Sequence, residues 1–389
     1  MNLPLGFRYA ATYCGLRKVA KDDLALIVAD VPAAAAAVFT TNRVVAAPVV
    51  LARENLRASK GRVRAWLINA GNANCATRTG RAVAEACVKA AAAALSAKAR
   101  EILPASTGVI GVEMDGAKVN AALPRLCAAL SAESFDAVAH AILTTDTRPK
   151  TAFAAVNAGA KQARFAGTTK GSGMIHPNMA TTLGFVMTDA VASPVELKLA
   201  LRRAVAVSFN RLSVDGDMST NDTVSVLASG ASGVRLSLKA LEATLTDVLQ
   251  SLAMQIARDG EGARKLITID VAGAPTERAA EKIARSIANS PLVKTAIAGA
   301  DPNWGRVIAA AGYSGARFDP SKTDIEMQGI AVCRGGLAAD FSEARLTQKL
   351  REPECHIRFT IRGRGQGHAR FWTCDFTEGY IQINGSYRT

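Results

Sequence analysis

Short apolar runs alternate with Ala-rich stretches along the chain. Residues 24–31, 63–68 and 183–187 predict strands, each a block of aliphatic residues bounded by polar or glycine-containing segments. Residues 82–97 predict a helix, because alanine and lysine favour it and neither Pro nor Gly interrupts. Ser193-Pro194-Val195-Glu196 marks a second helix start, with Ser as cap, Pro at the first position and Glu three residues on. Further helices are predicted over 238–256 and 277–288. Residues 357–361, 370–374 and 380–383 predict C-terminal strands joined by glycine turns. Mixed elements without a repeat period imply an α/β fold of layered sheets flanked by helices.

Arg362-Gly363-Arg364-Gly365-Gln366-Gly367 matches neither phosphate-loop nor dinucleotide spacing. Lying between two predicted strands, it reads as a tight hairpin connection, so nothing here supports ATP or NAD chemistry.

Composition narrows the classes. Half the residues are hydrophobic (49%) and 21% are charged, enough to bury a large core in 389 residues. No apolar run is long enough to span a bilayer, and Met1-Asn2-Leu3-Pro4-Leu5-Gly6-Phe7 lacks the basic and apolar regions of a signal peptide. The cytoplasm is the expected compartment. Seven scattered cysteines form no C-x-x-C pair and four histidines are dispersed, so reduced thiols and no metal site are expected. The net charge of +14 comes without a stacking platform, since aromatics are 5%. It reads as a solvated surface favourable to carboxylate substrates, not as a nucleic-acid interface.

The chemistry concentrates at Lys170-Gly171-Ser172-Gly173-Met174-Ile175-His176-Pro177-Asn178-Met179-Ala180-Thr181-Thr182-Leu183-Gly184. A loop of Gly, Ser and Pro runs directly into a buried strand, with a threonine at the junction. Read alone, this is more often an ordinary turn. In a strained loop, however, the Thr hydroxyl can attack the preceding carbonyl when donors stabilise the oxyanion. Hydrolysis of the resulting ester leaves Thr181 as a new N-terminus, whose amine (unperturbed pKa about 8) serves as base for its own hydroxyl. Other polar islands stand apart from it: Asn69-Ala70-Gly71-Asn72-Ala73-Asn74; Pro104-Ala105-Ser106-Thr107-Gly108-Val109-Ile110-Gly111, whose backbone N–H groups suit an oxyanion; Thr144-Thr145-Asp146-Thr147; and the segment from Asn210 to Thr223. Asp215, Asp217 and Asp222 in the last lack Ca²⁺-loop spacing.

Taken together and in this order, the islands resemble the ornithine acetyltransferase (ArgJ-type) family. The resemblance runs from Gly6-Phe7-Arg8 to Ile383-Asn384-Gly385-Ser386-Tyr387-Arg388-Thr389, through Ser213-Val214-Asp215-Gly216-Asp217, Asp259-Gly260-Glu261-Gly262-Ala263 and Asp301-Pro302-Asn303-Trp304-Gly305-Arg306. It implies a self-cleaving precursor of ArgJ/DmpA-like fold, cut between Ala180 and Thr181 into an α chain (1–180) and a β chain (181–389). Thr181 would be the nucleophile, and Thr107 and Gly108 the oxyanion hole. Thr144, Lys170, Glu261, Asn384 and Thr389 would contact substrate.

The implied reaction is ping-pong transfer of acetyl from N²-acetylornithine to glutamate in arginine biosynthesis. It needs no cofactor, and acetyl-CoA is a second acetyl donor in some members. Two α and two β chains are the implied assembly. The nearest alternative is a self-processing aminopeptidase or amidohydrolase, with water as acceptor. Two residues depart from the family pattern: Thr182 stands where Met is usual and Ala70 where Ser is frequent. His176 is assigned no role.

Overall fold

The computed structural model describes residues 3–176 and 182–385. Ala180, Thr181 and Thr389 lie outside the described residues. The N-terminal part comprises β1 (Phe7–Thr12), β2 (Leu24–Phe39), α1 (Ala47–Ala58), β3 (Arg62–Asn69), α2 (Gly80–Ala94), β4 (Ile102–Ser106), α3 (Gly116–Ala128) and α4 (Phe135–Ala141). It continues through β5 (Lys150–Ala158), β6 (Lys161–Lys170), β7 (Leu183–Thr188), α5 (Pro194–Ala206), β8 (Thr223–Ala228) and α6 (Leu238–Arg258). A second part holds β9 (Leu266–Ala274), α7 (Glu277–Ala288), α8 (Pro291–Ala298), α9 (Trp304–Gly312), β10 (Thr323–Met327) and β11 (Ile330–Arg334). It ends with β12 (Leu337–Ala338), α10 (Glu343–Leu350), β13 (Glu354–Ile361), β14 (Gly367–Cys374) and α11 (Glu378–Asn384).

The first sheet has the order β4-β3-β2-β8-β7-β6-β5, with β1 added against β2. β2 runs on through the alanine stretch to sixteen residues and changes partner midway. Its first half lies between β1 and β3, its second against β8, with a register shift between Val28 and Ala33. Both faces of this sheet are buried, and strand periodicity assigns each residue to one of them. On β7, Leu183, Phe185 and Met187 pack with α4 residues Phe135 and Val138. Val186 points the other way, into the core made with Leu201 of α5 and Leu249 of α6. The expected Ser193 cap is present: its side chain accepts from the Glu196 N–H while Glu196 accepts from the Ser193 N–H.

The second sheet, β12-β11-β10-β13-β9-β14, packs one face on α7 and its neighbours. The layered α/β architecture expected from the sequence is therefore present, as two sheets with helices.

Two local expectations are corrected. Residues 380–383 are helical, not a strand. Thr377 caps α11 by accepting from the Gly379 N–H, and Glu378 occupies the first turn. The alternation Tyr380-Ile381-Gln382-Ile383 mimics a half-buried strand, yet Ile381 is 70% exposed and pairs with nothing in a sheet. The connection 362–366 is not a hairpin either, because β13 and β14 flank β9 on opposite sides. The chain must cross the end of β9, and the glycines permit it. A Cβ at Gly365 would lie 2.4 Å from the Gly273 carbonyl oxygen, and one at Gly367 2.3 Å from that of Thr276.

Candidate active site

Strand pairing brings the site together. Lys170, the last residue of β6, pairs with Leu183, the first of β7, so the loop between them leaves and re-enters at one place. β8 runs parallel to β7 with Thr223 opposite Leu183, which sets Asn221 and Asp222 beside the same junction. The Asn221 side chain donates to the carbonyls of Ala73 (2.7 Å) and Ser106 (2.9 Å), tying the loops after β3 and β4 to the start of β8.

These segments surround a pocket of about 210 Å³ lined by Thr107, Gly108, Thr144, Lys170, Glu261 and Asn384. Every described residue that the resemblance assigns to catalysis or substrate contact thus lines one cavity. A smaller space adjoins it, sharing Thr107 and Lys170 and reaching Thr182 and Asp222. The residue following the expected nucleophile therefore lines this adjoining space.

One side of the pocket is cationic. The Lys170 ammonium donates to the Thr107 hydroxyl at 3.3 Å. Burial lowers its pKa, opposed by the negative charge of Asp146. The other side is anionic: Glu261 accepts from the Asn384 amide at 2.7 Å. Gly173 lies against that carboxylate, and a Cβ there would come within 2.2 Å of its oxygen.

The oxyanion donors need one correction. The sequence points to backbone N–H groups over 104–111, but the Thr107 N–H is bonded to the Asn69 carbonyl at 2.9 Å. Thr107 instead offers its hydroxyl, whose oxygen accepts from Lys170 and whose proton remains free to donate. Gly108 has φ +132°, and a Cβ would sit 2.8 Å from the Asn72 nitrogen, so only glycine fits beside that loop.

Three features escape sequence reading. Asp215 grips the loop upstream of the junction, accepting from the N–H groups of Met174 (2.6 Å) and Ile175 (2.9 Å), with Met174 at φ +57°. Tyr380 lines the pocket and donates to Asp215 at 3.3 Å; reading α11 as a strand hid it. The third is a buried ion cluster. Lys150, fully buried, reaches Asp146 at 2.6 Å and Asp259 at 2.5 Å. β5, which Lys150 opens, is itself absent from the strands read in the sequence, and a lone lysine carries no periodic signal that would reveal this. Near the junction, burial raises the Asp222 carboxyl well above the usual range, partly opposed by Lys170. His176 is outside the pocket lining, its pKa lowered by burial and then by Arg285.

The ArgJ family profile matches residues 8–389. The arginine biosynthesis bifunctional protein ArgJ of Thermus thermophilus is 46% identical over 390 residues, covering 100% of both chains. The protein of the same name from Chlorobaculum tepidum is 45% identical, over 99% of this chain and 96% of its own. A crystal structure of arginine biosynthesis bifunctional protein ArgJ from Bacillus halodurans superposes with a TM-score of 0.51 at 41% identity. That match spans 52% of this chain and 98% of the solved one. With a family profile over almost its whole length and relatives alike from end to end, this chain belongs to the ArgJ family.

Proposed function

We propose that the chain is a self-cleaving glutamate N-acetyltransferase of arginine biosynthesis. It moves acetyl from N²-acetylornithine to glutamate through an acetyl ester on Thr181. The observation that carries the reading is the pocket itself, with Lys170 at one side and Glu261 at the other, beside the start of β7. An acylated diamino acid has the complementary ends. Its carboxylate pairs with Lys170 and its free ammonium with Glu261, which orients the acetyl group between them.

In the precursor, the Thr181 hydroxyl attacks the Ala180 carbonyl. The peptide nitrogen leaves as the Thr181 amine, and water then hydrolyses the ester. In the mature enzyme that amine takes the hydroxyl proton as Thr181 attacks the acetyl carbonyl. The Thr107 hydroxyl and the Gly108 N–H donate to the oxyanion. Ornithine departs with the proton, and the glutamate amine attacks the acetyl-threonine to restore the free hydroxyl. The acetyl group passes between amines without redox change, so this route uses no cofactor; acetyl-CoA is an alternative acetyl donor.

The length of the solved relative supports a divided chain. Its polypeptide is matched over 98% of its length by only 52% of this one. On this reading 1–180 and 181–389 are α and β chains. They stay associated because β6 and β7, on opposite sides of the cut, remain hydrogen-bonded, and two of each form the assembly. Thr144, Asn384 and Thr389 contact substrate. No helix among the described residues is long and apolar enough to cross a membrane, consistent with a cytoplasmic enzyme.

The test follows the label from N²-[¹⁴C]acetylornithine. Transfer to glutamate, with free acetate a minor product, is expected. Acetate as the sole product at saturating glutamate would make the protein an amidohydrolase.

A further inference from the structure

The buried cluster behind the pocket has a geometry that a merely structural ion pair does not need. The Asp146 carboxylate accepts from the Lys150 ammonium (2.6 Å), the Gly171 N–H (2.7 Å) and the Thr144 N–H (3.0 Å). Asp259 accepts from Lys150 at 2.5 Å and from the Thr147 N–H at 3.1 Å, and its carbonyl accepts from the Ser172 hydroxyl at 2.5 Å. The Glu261 N–H in turn donates to the Ser172 carbonyl at 2.9 Å. One ammonium thus joins the three segments that carry Thr144, Lys170 and Glu261.

Charge gives the arrangement a second consequence. Lys170 is faced by Asp146 and Lys150, by Asp222 at the start of β8 and by Glu261 across the pocket. Asp146 is the nearest in influence among the anions, yet no ion pair closer than 4 Å joins it to Lys170. Its oxygens are already engaged by Lys150 and by two backbone N–H groups.

Resting on the proposed function, in which Lys170 takes the substrate carboxylate, we propose that Asp146 and Lys150 are paired positioning residues. Asp146 supplies the negative charge that keeps the Lys170 ammonium protonated in a buried site. Lys150 holds that carboxylate away, so the ammonium stays free for substrate instead of closing an internal ion pair.

The two residues then have opposite signatures. In Asp146→Asn the supporting charge is gone, so Lys170 loses its proton at lower pH. The alkaline limb of kcat/KM for N²-acetylornithine is expected to move down by about one unit, with KM raised several-fold at pH 8. In Lys150→Met a positive neighbour is removed and Asp146 is released to pair with Lys170. The alkaline limb moves up while KM rises about tenfold, because substrate must displace an internal partner. Lys150→Arg, which can still bridge both aspartates, should restore most of the affinity. Self-cleavage, followed by intact mass, is expected in all three.

Asp146→Asn is isosteric and decides the matter alone if Lys150→Met does not fold. An unshifted or upward-shifted limb in that variant overturns the proposal, as does a limb moving the same way in both. Absence of acetyl transfer by the unsubstituted enzyme would instead overturn the functional reading on which it rests.

Discussion

The two sheets carry their charges differently. Around the pocket beside the first sheet, Lys150, Asp146, Asp259, Lys170 and Asp222 are all buried. On the outer side of the second sheet Asp270 is also buried, but its partners reach water: Arg370, at 2.8 Å, is 54% exposed and His356, at 2.7 Å, 39%. A charge in water costs little and its pairing stabilises little, typically under about 1 kcal/mol. Removing one partner of a buried pair costs several times that, because the other is left uncompensated. Buried charges gathered around a cavity therefore point to chemistry, whereas partly exposed pairs point to a solvated face.

The largest expected effect lies at the junction. Thr181→Ala should leave one uncut chain and lower acetyl transfer about 10³-fold or more, since nucleophile and base are lost together. Efficient fragmentation of that variant, seen by denaturing electrophoresis, would contradict the assignment.

Next comes the anionic side of the pocket. Gly173→Ala drives a methyl into the Glu261 carboxylate. KM for N²-acetylornithine should rise about 10- to 100-fold in steady-state assays, an effect of about 1.4–3 kcal/mol in binding. Glu261→Ala should weaken substrate similarly without stopping the cut, and unchanged kinetics would remove Glu261 from the site.

The second sheet should respond least. Asp270→Asn is expected to leave kcat/KM within about twofold and to reduce stability by about 1 kcal/mol in urea unfolding. Although burial raises the Asp270 carboxyl, His356 and Arg370 outweigh it and hold the pKa well below the usual carboxylate value. A depressed folded-state pKa stabilises above the unfolded value, near 4, and that stabilisation is lost as pH falls through the folded value. The difference between unsubstituted and variant protein should thus be full at pH 6 and shrink below pH 4. A growing difference on acidification would refute the pairing.

The same contrast decides what was legible. Leu183, Phe185, Val186 and Met187 announce β7 because a short apolar block following a polar, glycine-containing loop is a local pattern. Ser193 and Glu196 announce α5 because a cap is completed within four residues. The site residues Thr107, Lys170, Glu261 and Asn384 carry no such local signature. Their resemblance to a family names them, and the pairing of β6 with β7 brings them together. Lys150 and Asp259 stay hidden because their partnership joins positions far apart in the chain. Tyr380 stays hidden because a short exposed helix can imitate an alternating strand.

The central claim is that the enzyme works as two pieces, the second opening with its nucleophile. Intact-mass analysis with N-terminal sequencing of active enzyme tests it most directly. Two fragments are expected, 1–180 and 181–389, the latter beginning Thr181-Thr182-Leu183. Full activity in an unbroken chain, or a second fragment opening at any other residue, would contradict it.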